Sequence, residues 1–362
     1  LVMDDTDKVR DLYSDAVAQG LAVLPPDVNA SDYRFVPVDT RQIRYGLGGI
    51  KGTGEHALEA IVAARAKGGP FRDLFDFCRR VDKRQVNRRV VEALIRAGAF
   101  DAIDRRRAAL FASVGIALGE AERAEASAAQ VSLFGDAVQD AGLALVATRE
   151  WTDAERLQHE KAALGFYLSG HPYAAFAAEL APLIRQRLAD LQPRREPTLI
   201  AGIVTALRIQ ASKRGKMAFV TLDDGEGTAE ITVYSEILDE ARSLLREDQL
   251  LIVEAKVSAR IGDDGQSQGL RIIADKVFDL AAIRQRHARG IVIACNGGAD
   301  AARLFELLSP FRAGACPIVV EYRNRGLGGV IALPESWRVV PDNTLIAQLQ
   351  EWLTPENVRV LY

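Results

Sequence analysis

The chain has 362 residues, 48% hydrophobic and 26% charged, enough for two or three globular domains with cores of their own. That composition excludes a disordered, collagen-like or membrane-spanning protein. Lys and Arg number 46 against 49 Asp and Glu, and the resulting net charge of −3, taken whole, argues against a dedicated nucleic-acid binder. The charge is unevenly placed: residues 41–107 hold 16 basic against 8 acidic side chains, a net of +8 that leaves −11 on the rest. Cys78, Cys295 and Cys316 form no C-x-x-C pair, so neither a disulfide framework nor a zinc site is indicated, and a reducing, cytoplasmic setting fits. The opening acids are wrong for a signal peptide, and a first residue of Leu1 is the expectation for a piece of a longer protein.

In chain order, a helix is predicted from Lys8 to Gln19, followed by an extended stretch at Pro25-Pro26. Apolar residues at i, i+3, i+4 spacing predict helices at Glu55–Ala66, Asn87–Ala97 and Arg105–Leu118. Residues 119–150 contain nine alanines and a single aromatic, Phe134, and read as a coreless, loosely packed linker. Residues 151–190 return to helix, broken around Ser169-Gly170-His171-Pro172.

From Thr198 the period switches to two. Strands are predicted at Leu199–Ile209, Lys216–Leu222, Ala229–Tyr234, Leu250–Arg260 and Gly269–Leu280, with a helix, Ser235–Arg246, between the third and fourth. Five strands with a helix in that place are the order of an OB-fold barrel. Residues 290–362 read strand, helix, two strands, helix, strand, a βαββαβ order that fits a small split βαβ domain. The fold class expected is therefore multidomain α+β: a helical region with tandem helix-hairpin-helix motifs, an OB-fold β-barrel and a small C-terminal βαββαβ domain.

No phosphate-binding P-loop, nucleophile elbow or histidine metal spacing is present. Asp4, Asp5 and Asp7 form an Asp-x-Asp pattern of the kind that holds magnesium, but they precede a helix, where Asp caps backbone N–H groups. Asp223-Asp224 and Asp263-Asp264 flank glycines and read as turn residues. No catalytic and no metal-binding residue is assigned.

The strongest nucleic-acid feature is Leu47-Gly48-Gly49-Ile50-Lys51-Gly52-Thr53-Gly54, running directly into a helix. Glycines two apart at a helix start let backbone N–H groups face a phosphate whose charge the helix dipole favours. This resembles a helix-hairpin-helix motif, which grips DNA by its backbone; the alternative is a plain glycine turn. A weaker second copy has the turn Gly98-Ala99-Phe100-Asp101 and a helix holding Arg105, Arg106 and Arg107, with Phe100 where a second glycine would stand. With Arg88 and Arg89, these residues make up the duplex-binding expectation. In the linker, Gln130-Val131-Ser132-Leu133-Phe134 is similar to the clamp-binding peptide of bacterial replication proteins, with Gln130, Ser132, Leu133 and Phe134 the contact residues. In the barrel, Arg208, Lys213, Arg214 and Lys216 lie around the first turn, with Phe219 and Tyr234 on the neighbouring strands, a mixture suited to single-strand stacking and phosphate tracking. Each aromatic is equally compatible with the barrel core.

Taken in order, these pieces resemble the C-family of bacterial replicative polymerases, the DNA polymerase III alpha subunits. The resemblance is carried by Leu24 to Asn29, Tyr45 to Gly54, Asn87-Arg88-Arg89 with Gly98 to Asp101, Gln130 to Phe134, Leu164 to Pro172, and Thr221 to Asp224. It implies the end of a fingers region at 1–38, a tandem helix-hairpin-helix region at 39–118, a linker with the clamp peptide at 119–150, and a helical connector at 151–195. An OB-fold at 196–284 and a domain binding the tau subunit of the clamp loader at 285–362 complete the series. Implied partners are duplex and single-stranded DNA, the sliding clamp (beta) and tau, with no membrane. Implied activity is nucleotidyl transfer by a DNA-directed DNA polymerase in the bacterial cytoplasm, at the nucleoid. The family's magnesium-binding catalytic aspartates precede the matched region, so this stretch is expected to be inactive by itself and to hold no cofactor. A free-standing helix-hairpin-helix and OB repair scaffold is the alternative reading.

Overall fold

The computed structural model describes residue 3 and residues 5–131, 143–212, 215–261, 267–297, 300–324 and 327–362. It divides into two units, 1–171 and 172–362.

In the first unit, helix α1 (Thr6–Ala18) is capped by Asp5, whose carboxylate accepts from the Lys8 N–H at 3.2 Å. That is the capping role expected of this acid; Asp4 and the Asp7 side chain lie outside the described residues. Strands β1 (Ala22–Leu24), β2 (Val36–Pro37) and β3 (Gln42–Arg44) form a small sheet in the order β1-β3-β2. A 3-10 turn, Leu47–Gly49, then leads to α2 (Glu55–Gly68), α3 (Leu74–Arg80), α4 (Arg88–Arg96) and α5 (Arg107–Val131). Their apolar stripes meet in one core. Phe100 is fully buried there, edge-on to Phe77 with ring centroids 5.0 Å apart.

Helix α5 does not stop near Leu118. It continues to Val131, so the beginning of the expected linker is helical. Alanine lacks the side chain to build a core but has the highest helix propensity, and Ala121 is buried with its carbonyl accepting from Lys83 Nζ at 2.8 Å. Helix α6 (Asp153–Leu164) starts with a Thr152–Glu155 capping box and ends at Gly165, φ +91. The helix break thus falls at Gly165, ahead of Ser169, because the left-handed cap needs glycine.

In the second unit, α7 (Ala174–Leu180) precedes β4 (Thr198–Ser212), β5 (Gly215–Asp223), β6 (Thr228–Val233), α8 (Ser235–Ala241), β7 (Leu250–Ile261) and β8 (Ser267–Phe278). The strands close in the order β4-β5-β6-β8-β7, with β6 and β8 parallel and α8 between β6 and β7 in the chain, which is the OB-fold topology. Alternation is strict on β5 and β6: Ala218, Val220, Leu222, Ile231 and Val233 face the core. Helix α8 ends at Ala241 instead of Arg246, and Leu245 turns into the barrel core.

Helix α9 (Leu280–His287) leads to β9 (Gly290–Asn296), α10 (Ala301–Leu308), β10 (Arg312–Cys316), β11 (Ile318–Asn324), β12 (Leu327–Ala332), α11 (Asn343–Leu353) and β13 (Val358–Leu361). The sheet order is β12-β11-β9-β13. The expected succession of elements is present, with β10 bridged to Val339 as an addition. The βαβ unit, however, is not split: β9 and β11 are direct parallel neighbours, and β12 lies outside β11. Burial along the strands agrees with this order. In β9 the consecutive Ile291, Val292 and Ile293 are all buried, as suits a strand covered on both faces, whereas Gly328-Gly329 weakens a strand, and Val330 and Ile331 remain exposed at the edge.

Candidate nucleic-acid interface

The glycine loop before α2 is held from within. Tyr45 is buried, and its hydroxyl donates to the Gly49 carbonyl at 3.1 Å. Thr53 Oγ1 donates to the Ile50 carbonyl at 2.7 Å, and the Lys51 N–H donates to Ala163 O at 2.7 Å, fastening the loop to the end of α6. Gly52 has φ +82, and Gly54 is the N-cap of α2 without any side-chain cap. A Cβ at either glycine would meet nothing within 4 Å. The outer side of the loop is therefore open, and the first N–H groups of α2 face it with the positive end of the helix dipole. A phosphate oxygen approaching Gly52 or Gly54 meets backbone without a side chain, with the Glu55 carboxylate in the first turn of α2 as the nearby like charge. The Lys51 side chain is exposed and has no hydrogen-bond or ion-pair partner among the described residues.

The second turn is built differently. Gly98, φ +80, closes α4: the Ala99 N–H donates to Leu94 O at 2.9 Å, the bond of a Schellman stop. Gly98 is buried, and a Cβ on it would lie 2.2 Å from Arg107 Nη2. Arg107 is buried too. Its Nε and Nη2 donate to Asp101 at 2.8 and 2.5 Å, and Nη1 lies 3.5 Å from the buried Glu160 carboxylate. The expectation that Gly98 and Arg107 face DNA is corrected: one stops a helix and the other is an internal counter-charge. Asp104 is engaged by exposed Arg106, whose hydrogen bonds hold its carboxyl below the usual value. Arg88 pairs with Glu92 at 2.7 Å. Arg89 and Arg105 are exposed with no side-chain partner among the described residues.

On the barrel, Arg208, Phe219 and Thr232 stand opposite one another on β4, β5 and β6. Phe219 faces outward, beneath the Arg208 guanidinium at 5.8 Å from the ring centroid, and Arg208 also pairs with Glu230. Tyr234 is 38% exposed, and its oxygen accepts from Arg271 Nη2 at 2.9 Å. Both aromatics are thus outside the core and line a groove of about 710 Å3 together with Met217, Thr232, Arg260 and Arg271. Sequence reasoning missed Arg260 and Arg271. Their strands were legible, but only the register, with Ser258 opposite Arg271, brings them to this face. Lys216 is exposed at the start of β5, opposite Ala211; Lys213 and Arg214 lie outside the described residues.

Gln130 falls in the last turn of α5, with its side chain outside the described residues, as are Ser132, Leu133 and Phe134. Asp223 and Asp224 accept from the N–H groups of the turn that follows them, as expected of turn acids; Asp263 and Asp264 lie outside the described residues. Among the described residues no group of three or more His, Cys, Asp or Glu is placed to hold a metal ion. No helix among them is long and apolar enough to cross a membrane.

The helix-hairpin-helix motif family matches residues 20–110, the OB-fold nucleic acid binding domain family residues 198–280, and the DNA polymerase III subunit alpha, C-terminal domain family residues 303–353. DNA polymerase III subunit alpha of Neisseria meningitidis is 42% identical over 363 residues, 99% of this chain and 31% of the relative. The subunits of Vibrio cholerae and Escherichia coli are 40% and 36% identical, each covering 99% of this chain and 32% of the relative. The chain spans about a third of the length of these curated relatives. The second OB-fold domain of replication protein A from Methanococcus maripaludis, a solved structure, is 20% identical over 26% of this chain and 93% of that one, with a TM-score of 0.21.

Proposed function

Belonging, along the C-terminal part of its relatives that it spans, to the DNA polymerase III alpha-subunit family, this chain is, we propose, the portion of a replicative polymerase that holds DNA and partner proteins. Nucleotidyl transfer, with its magnesium ions, belongs to the remainder of the longer protein. Duplex DNA is held by its backbone at the loop of Lys51, Gly52, Thr53 and Gly54, assisted by Arg88, Arg89, Arg105 and Arg106. Single-stranded template lies along the barrel groove, its bases against Phe219 and Tyr234 and its phosphates near Arg208, Lys213, Arg214 and Lys216. The peptide Gln130 to Phe134 docks on the sliding clamp, Leu133 and Phe134 each burying apolar area worth about 1.5–3 kcal/mol. The domain at 285–362 takes the tau subunit. All of this belongs to the bacterial cytoplasm, at the nucleoid.

The observation that carries the reading is identity of 36–42% to alpha subunits over 99% of the chain, with the three domain matches in the expected order. The test combines duplex binding with primer extension. The chain should bind primed duplex with a salt slope of about −0.9 per phosphate contact and extend no primer when given magnesium and four nucleotides. Processive synthesis by this chain alone would place the active site within it and overturn the division of labour.

A further inference from the structure

The 172–362 unit holds a second hollow, a cleft of about 640 Å3 walled by Pro182, Arg185, Pro193, Arg194, Arg195 and Pro197. It lies along the connector between α7 and β4. Arg185, Arg194 and Arg195 are exposed, and none has a side-chain hydrogen bond or ion pair among the described residues. Neighbouring Arg187, by contrast, is paired with Glu226. Glu196 is the acid on the wall, so three guanidinium groups face one carboxylate and the cleft is left with uncompensated positive charge. The wall is stiff: its prolines fix φ, and the Arg194 N–H donates to Val257 O of β7 at 2.9 Å. The same connector buries Leu188 and Leu191 against the barrel core, and those two residues also line the groove that contains Phe219 and Tyr234. One rigid connector therefore borders both hollows.

Resting on the reading of the barrel as a single-strand module, we propose that this cleft takes the phosphates of the same nucleic-acid strand beyond the base-stacking groove. Guanidinium forks match phosphate oxygens in pairs. No aromatic is among the residues lining the cleft, so the contact is to the backbone and indifferent to sequence. An acidic polypeptide is the competing occupant; the connector, whose residues border the cleft and, at Leu188 and Leu191, the aromatic groove, favours a strand whose bases and phosphates are held in succession.

The test uses the full chain with Arg185→Ala, Arg194→Ala and Arg195→Ala combined, and fluorescence anisotropy with oligothymidylates of about 8 and about 30 nucleotides, the shorter filling one barrel. Each phosphate contact to a single strand contributes about 0.7 to the salt slope, so the triple variant should lose about 2 units of slope and about tenfold affinity at low salt for the longer strand. The shorter strand should bind as to the parent, while Phe219→Ala weakens both lengths. An unchanged slope in the arginine variant, with Phe219→Ala still weakening both, overturns the cleft and leaves the barrel reading standing. A parent chain that binds neither length overturns both. Displacement of the longer strand by polyglutamate as readily as by unlabelled strand, at equal charge, overturns the assignment to nucleic acid.

Discussion

Arg107 and Glu160 face each other inside the helical unit, Nη1 3.5 Å from Oε1, with side chains only 6% and 1% exposed. The other Glu160 oxygen accepts from the Leu168 and Ser169 N–H groups at 2.9 and 2.8 Å, so this pair ties the start of α5 to the segment following α6. Arg107→Ala removes the counter-charge of a buried carboxylate and should cost about 3 kcal/mol, read by denaturant unfolding. The folded fraction should keep the parent's salt slope for duplex binding. Arg105→Ala should do the reverse, leaving stability intact and flattening the slope by about 1. A parent-like stability for Arg107→Ala would remove the structural role assigned to it.

Lys51→Ala should lower the duplex salt slope by about 1 without moving the melting temperature, because its ammonium has no partner among the described residues. Gly52→Ala places a side chain at φ +82 and should cost about 1–2 kcal/mol in strain despite the open space around it. Parallel titration and thermal unfolding of the two variants separate charge from backbone shape.

Phe219→Ala and Tyr234→Ala should each weaken single-strand binding by about 1–3 kcal/mol per stacked base while leaving the barrel's unfolding almost unchanged, since neither ring is in its core. Tyr234→Phe keeps the ring but loses the Arg271 bond and should fall between parent and alanine. A large loss of stability in Phe219→Ala would return that residue to a packing role.

Acid should loosen the second unit through Glu179. Burial opposes its charge, but the Arg284 hydrogen bonds at 2.6 and 2.7 Å, attraction to that guanidinium and the Tyr362 hydroxyl hold its pKa below the ordinary 4.5. With a depressed folded pKa, the stabilisation is present above pH 4.5 and is lost as pH falls through the folded value. Glu179→Gln, which leaves the 5% exposed Arg284 side chain without its charge partner, should cost about 3 kcal/mol at neutral pH and flatten the acid limb of a melting-temperature profile. An acid limb of parent steepness would assign the loss to other carboxylates.

Leu133→Ala with Phe134→Ala should abolish retention on immobilised sliding clamp and leave DNA affinity unchanged. Retention at the parent level would dissociate the pentapeptide from clamp docking.

Much of the fold is legible in the amino-acid pattern. Period-two alternation from Thr198, the turn glycines and the helical stretch from Ser235 specify a barrel because each strand's burial pattern repeats along its own residues. The stretch after Leu118 is not legible, since runs of alanine look coreless whether they form a linker or continue a helix; the burial of Ala121 is decided by what packs against it. The order of β9, β11 and β12 is likewise hidden, because a succession of elements does not say which strands become neighbours.

The sequence by itself determined the order of domains, the concentration of +8 in residues 41–107, the glycine spacing before α2 and the kinds of residue offered to nucleic acid. Only the tertiary structure decided which of those residues face outward. It turns Arg107 inward to Glu160, leaves Arg89 and Arg105 in solvent, and brings Arg260 and Arg271 beside Phe219 and Tyr234. The physical reason is range: helix and strand periods are set by neighbouring residues, whereas the partner of a charge and the face of a ring depend on groups far away in the chain.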